Sequence, residues 1–103
     1  MAKLQFVEFK LHVRGQMRSL ARFVLMPDGE VRVVILYPEA AHVVERIIKD
    51  GAIGDRLYTL EDGPLFLKYF VEAYQSRACF VTPIAEMEEE EALRGAPEGG
   101  APS

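Results

Sequence analysis

The sequence is poor in three things: side-chain amides, cysteine and long apolar runs. It has no asparagine and three glutamines, while the eight arginines outnumber the four lysines. Scarce amides together with many charged residues are typical of heat-adapted proteins. A GC-rich bacterial genome, whose codons favour arginine, alanine, glycine and proline, would produce the same bias. The two interpretations are compatible, the second indicates a bacterial origin, and neither indicates a function.

The scarcity of cysteine and of apolar runs limits where the protein resides. Because Cys79 is the one cysteine, the chain cannot form an internal disulfide, which favours a reducing compartment. No apolar run approaches the roughly 20 residues that cross a bilayer. The first residues, Met1 to Gln5, lack the apolar centre of a signal peptide. We therefore expect a soluble, cytoplasmic protein.

Motifs for catalysis and metal binding are missing as well. The candidate metal ligands His12, His42 and Cys79 lie on three separate predicted elements, outside the spacing of known metal motifs. No order of residues typical of a hydrolase is present. The glycines of Gly51–Gly54 follow a predicted helix C-terminus, where the carbonyl groups disfavour an anion. We predict no catalytic residue, no metal and no cofactor, and a non-enzymatic role is favoured.

What the sequence does contain is a pattern of strands in its first third. The most apolar stretch, Val31–Tyr37, is rich in β-branched residues and lies between the turn Pro27–Gly29 and Pro38. Such a stretch predicts the central strand of a sheet. Two strands precede it, because Val7–Arg14 alternates strictly between apolar and polar residues and Ser19–Met26 alternates less strictly.

The apolar alternation also predicts how these strands pair. Pairing Met26 with Glu30 across the turn aligns the apolar residues of the second and third strands. For the first strand to bury its apolar side on the same face, a three-residue connection, Gly15–Met17, is needed. The expected core rows are Val7/Leu25/Val31, Phe9/Phe23/Val33 and Leu11/Ala21/Ile35.

Two helices are predicted after these strands. The first begins at Pro38 and ends at Gly51, with apolar residues at helical spacing. The second runs from Asp62 to Ser76 and is apolar on nearly all sides, so we expect it to be buried on more than one. Residues 56–60 form either a short strand or a connection. Ala78–Val81 predicts a last strand, at a sheet edge because the nearby Pro83 cannot donate a hydrogen bond.

The predicted fold is therefore α+β: an antiparallel three-stranded β-meander followed by two helices and a terminal edge strand, with a single layer of helices on the sheet. We expect one domain over residues 1–85. Residues 86–103 form an acidic, Gly/Pro-rich tail, with a short helix up to Arg94 and a disordered end. The tail carries six glutamates and one arginine, whereas the preceding residues carry eleven basic and ten acidic side chains.

The second face of the predicted sheet gives the first functional hypothesis. It is too apolar for a freely solvated face, and no third helix remains to cover it. We therefore predict a protein-interaction module that forms a homodimer through this face, without a role at a membrane. The predicted interaction residues are Leu20, Val24, Met26, Val34 and Leu36.

Basic residues on the same strands give an alternative, the binding of nucleic acid or another polyanion: Lys10, Arg14, Arg18, Arg22 and Arg32. The absence of exposed aromatic residues for base stacking counts against it.

Binding of a small molecule between Tyr58, Tyr69 and Tyr74 is a further alternative, although an aromatic stripe is more often core. The acidic tail is expected to be solvated; the alternative is that it lies on the basic face and screens it.

Overall fold

The computed structural model describes residues 2–50 and 60–95 of the chain. These residues form an α+β fold, as the sequence predicts. Residues 56–59 and the end of the predicted tail, 96–103, lie outside the described residues. The elements are β1 Lys3–Val13, β2 Gln16–Leu25, β3 Val31–Ile35, α1 Ala41–Lys49, α2 Gly63–Tyr74, β4 Cys79–Val81, β5 Ala85–Glu88 and α3 Glu89–Ala92, with 3₁₀ turns at Pro38–Ala40 and Leu60–Asp62.

The five strands form one antiparallel sheet centred on β1. One edge of β1 pairs with β2. The other edge pairs with β4 along Phe9–Leu11 and with β5 along Lys3–Phe6. Strand β3 therefore lies at the outer edge of the sheet, and the prediction that Val31–Tyr37 forms a central strand is wrong. The physical reason is the length of β1, which accommodates two short C-terminal strands on its own free edge.

The predicted register of β2 and β3 is confirmed. Phe23 lies opposite Val33 and Leu25 lies opposite Val31. The Met26 N–H donates to the Glu30 carbonyl at 2.7 Å, which closes the turn as expected. The apolar residues of both strands therefore share the face that the two longer helices cover.

The predicted register of β1 and β2 is wrong by two residues at Phe9 and by three at Leu11, next to the turn. The connection is the two-residue turn Arg14-Gly15, with φ angles of 52° and 77°, which is typical of a tight hairpin. Phe9 consequently lies opposite Ala21. The pairing shifts at Leu20, which forms a β-bulge, and the extra residue returns the apolar side chains to the helix-covered face. The rings of Phe9 and Phe23 still contact, with centroids 4.8 Å apart.

The main core lies between the sheet and the two longer helices. The ring of Phe9 also stacks on Phe70 of α2, with centroids 4.8 Å apart, and Phe66 of the same helix lies against Phe23. Helix α1 adds Val43, Val44 and Ile47. Helix α2 contacts both the sheet and α1, but its Leu65 is 63% exposed, so its apolar surface is not buried all round. No helix in the described ranges is long and apolar enough to cross a membrane.

The first part of the predicted tail is a structural element of the sheet. The sequence predicts a short helix up to Arg94, whereas residues 85–88 form β5 and only residues 89–92 are helical. Strand β5 pairs with β1, and α3 then lies on the second face of the sheet. A second apolar cluster joins its Ala92 to Leu4, Val24 and Val34. Unpaired backbone on the free edge of β1 explains the strand, since an edge next to a core favours pairing over a solvated helix.

This packing predicts unequal effects for two alanine-to-glutamate changes in the same segment. Ala92 is fully buried, so Ala92→Glu would place a carboxylate among apolar side chains and lower the free energy of unfolding by about 3 kcal/mol or more. Ala85 is exposed, and Ala85→Glu should change it by less than about 0.5 kcal/mol. Urea unfolding of both variants checks this, and equal effects would show that the segment is not docked.

Candidate functional site

The predicted interaction surface is covered by the chain itself. Val24 is fully buried and Val34 is 8% exposed, while Met26 and Leu36 are half-buried. Their cover is the C-terminal segment, through Met87, Ala92 and Leu93. The expectation of an exposed apolar face is therefore wrong, because β5 and α3 fold back over it. Leu20 is also not on this face, since the bulge turns its side chain into the main core, where it is fully buried.

Arg22 is the polar centre of this covered face. Its Nε donates to Glu8 Oε2 at 2.8 Å, forming an ion pair between two side chains that are only 12% and 11% exposed. Its Nη1 donates to the carbonyls of Glu91 and Ala92 at 3.1 and 2.8 Å, and more weakly to that of Arg94 at 3.4 Å. These carbonyls belong to the end of α3, where a cation is favourable. Arg22 thus joins β1, β2 and the C-terminal segment.

The predicted anion-binding residues do not form one continuous basic surface. Arg22 is committed to Glu8 and α3, and Lys10 lies 3.7 Å from the same carboxylate. Arg14, Arg18 and Arg32 are exposed, but they lie at the hairpin tip, at the start of β2 and on β3. Two of the five residues predicted to bind a nucleic acid are therefore engaged in contacts within the chain.

Arg18 instead belongs to a concave site that we call the arginine groove, with a volume of about 600 Å³. Its walls come from Gln16–Ser19 at the start of β2, from Leu36 and Tyr37 after β3, and from Glu91 and Arg94. The groove exists because β3 ends at Ile35 and leaves the first residues of β2 without a neighbour on that side. Sequence reasoning missed Tyr37 and Arg94, because it treated the tail as separate from the sheet.

The outer edge of β3 is a second candidate site. The Met26 N–H donates to the Glu30 carbonyl, and the Leu36 N–H donates to the Leu20 carbonyl at 3.0 Å. Because backbone groups alternate in direction along an antiparallel strand, the even-numbered residues of this stretch point toward β2. The N–H and C=O groups that point away from the sheet are those of Val31, Val33 and Ile35. No strand of residues 2–50 or 60–95 pairs with this edge.

The three tyrosines of the small-molecule hypothesis are not brought together in the described part of the chain, because Tyr58 lies outside it. Tyr69 is on the outer side of α2, where its hydroxyl donates to Asp50 Oδ2 at 3.2 Å. The Tyr74 hydroxyl is buried without a hydrogen-bond partner among the described residues. Tyr74 also does not line the surface groove that contains Tyr69 and Asp50.

The candidate metal ligands remain apart. His12 and His42 are exposed, and Cys79 is buried in the main core. Burial raises the pKa of the Cys79 thiol, which favours the unreactive, protonated form. Within the described ranges, no three His, Cys, Asp or Glu side chains converge on one point.

Comparison with known proteins gives no relative from which a function could be transferred. No protein-family model matches the chain, no curated protein matches it, and no solved structure matches it.

The Arg22 contacts predict a large effect of one substitution and its partial reversal by another. Arg22→Met should lower the free energy of unfolding by about 3 kcal/mol, since it leaves the largely buried Glu8 carboxylate with only longer contacts, to Lys10 at 3.7 Å and to the Ser19 hydroxyl at 3.4 Å. Adding Glu8→Leu should recover most of the loss, because two apolar groups need no partner. The exposed Arg32→Met is the matched control, with an expected change below about 0.5 kcal/mol. Urea unfolding measures all three, and additive losses in the double variant would contradict the pairing.

The isolated hydroxyl of Tyr74 predicts that Tyr74→Phe is at least as stable as the natural chain, with a gain of up to about 1 kcal/mol. Burial raises the pKa of Tyr74 above the ordinary value of 10.0. The unfolded chain therefore ionises first, and the folded state loses stability as the pH rises above 10. This alkaline loss should be smaller in Tyr74→Phe. A clear destabilisation at pH 7 would mean that the hydroxyl has a hydrogen-bond partner.

Proposed function

We propose that the chain is a non-enzymatic protein-interaction module that forms a homodimer by antiparallel pairing of two β3 strands. The observation that carries the proposal is the unpaired outer edge of β3, which is also the most apolar stretch of the sequence. Exposed edges of this kind template pairing with another chain unless they are shortened, charged or covered. We therefore propose that the chain self-associates through the edge of the sheet and not through its covered face.

The side chains of the edge are suited to burial in such a dimer. Val31, Val33 and Ile35 pack on the main core, but each remains only half-buried. They share the helix-covered face, so two paired β3 strands would bring the apolar side chains of both copies together. The two cores would then form one continuous apolar layer, in the manner of strand addition to a sheet edge.

The charges of β3 select among the possible registers. A two-fold axis at Arg32 would place the two copies of this arginine directly opposite each other, which is unfavourable. An axis at Val33 places Arg32 opposite Val34 and Val31 opposite Ile35. That register pairs all five residues of β3 and brings no like charges face to face. An isologous contact of this kind closes on itself and stops at two copies.

A proline substitution tests the proposal at the level of one hydrogen bond. The Val33 N–H points away from β2, so Val33→Pro should leave the β2–β3 ladder intact and remove a donor needed only between copies. Light scattering during gel filtration should give a dimer for the natural chain and a monomer for Val33→Pro. The matched control is Val33→Ala, which trims the same side chain, keeps the N–H and should remain dimeric.

Two outcomes would reject this function. The first is a natural chain that remains monomeric at several hundred micromolar. The second is a Val33→Pro variant that dimerises as well as Val33→Ala while both keep the circular dichroism of the natural chain. Either result would show that the β3 edge does not mediate self-association.

A further inference from the structure

We infer that the arginine groove binds a small phosphorylated organic molecule, with its phosphate on Arg18 and Arg94 and its organic part on Met17 and Leu36. This inference goes beyond the proposed dimer, because the groove flanks the start of β2 and does not use the paired edge of β3. It rests on the charges, the exposed apolar surface and the size of the groove.

The groove is positively charged, and not all of its arginines are held in ion pairs. Three arginines and one glutamate line it. Arg22 is held by Glu8 and by the end of α3, whereas Arg18 and Arg94 make no ion pair with any residue of the described ranges. Two exposed guanidinium groups at one concave site offer the planar, paired donors that suit phosphate oxygens.

Arg18 is also positioned for binding. Its guanidinium carbon lies 4.6 Å from the centre of the Tyr37 ring, a cation–π arrangement that holds the charge in place. The Tyr37 hydroxyl donates to Glu39 Oε1 at 3.2 Å, which fixes the ring in turn. A charge held before the ligand arrives loses less entropy on binding.

The remaining surface of the groove indicates an organic phosphate more than the free ion. Met17 is 55% exposed and lines the groove, so it offers apolar surface to the organic part of a ligand. Leu36 lines the groove beside it. The volume of about 600 Å³ lies within the roughly 300–1,000 Å³ of sites for small organic ligands. A mononucleotide has the required size, charge and planar apolar part.

The test titrates the full chain with adenosine 5′-monophosphate and follows amide and arginine side-chain signals by nuclear magnetic resonance. Adenosine and inorganic phosphate serve as probes for the two halves of the ligand. We expect shifts at Arg18, Tyr37 and Leu36, with affinity for the nucleotide at least tenfold above that for either half. Arg18→Gln and Arg94→Gln should each weaken binding about tenfold, the loss of one charge-assisted contact.

The matched control is Arg14→Gln, which removes the same charge from an exposed arginine outside the groove. Its affinity should stay within twofold of the natural chain. An equal loss in Arg14→Gln would show attraction to overall positive charge, and equal binding of adenosine alone would show that phosphate is not recognised. Either of these results, or the absence of shifts at 10 mM nucleotide, would overturn the inference.

Discussion

The second face of the sheet depends on one arginine. The Arg22 guanidinium lies almost out of solvent between the Glu8 carboxylate and the last carbonyls of α3, so one side chain neutralises a buried charge and completes a helix end. Removing one partner of such a pair is destabilising mainly because the other buried charge then lacks its strongest contact. Around it, apolar contacts of Ala92 with Leu4, Val24 and Val34 exclude water and strengthen the polar contacts. The C-terminal segment is thus held by the hydrogen bonds of Arg22 and by the apolar contacts that surround them.

This arrangement changes the meaning of the charge distribution. A basic sheet followed by an acidic tail indicates, from composition alone, either polyanion binding or electrostatic screening. In the folded chain the segment docks through apolar side chains and through backbone carbonyls on Arg22, while Glu86, Glu88 and Glu90 remain exposed. No carboxylate of residues 86–95 forms an ion pair with an arginine of the described sheet. Of the predicted basic residues, Arg14, Arg18 and Arg32 form no ion pair within the described ranges, and Arg18 and Arg94 line the same groove because the tail returns to the sheet.

Sequence reasoning predicted the parts of the fold that depend on local patterns. The turn Pro27–Gly29 has a strong local signal, and with it the register of β2 and β3 followed. The hairpin before it was predicted with the wrong turn, because a tight turn with two left-handed residues is usually marked by asparagine and glycine, and here Arg14 takes the first position. The bulge at Leu20 has no local signal at all. The cover of β5 and α3 joins the two ends of the described chain, and no periodicity within either end reveals that they meet. The candidate sites were wrong for the same reasons, because they were predicted without the bulge and without the C-terminal cover.

The pairing of Lys3 with Glu88 has a consequence for the order of folding. Among the described strands, β1 is the first to be synthesised and β5 the last, so one edge of the central strand lacks partners until β4 and β5 are made. Contacts between residues so distant in sequence are slow to form. During that interval Leu4 and Phe6 are without their C-terminal neighbours, which exposes a strand edge to aggregation. Docking of the C-terminal segment on β1 is therefore expected to be a late step of folding.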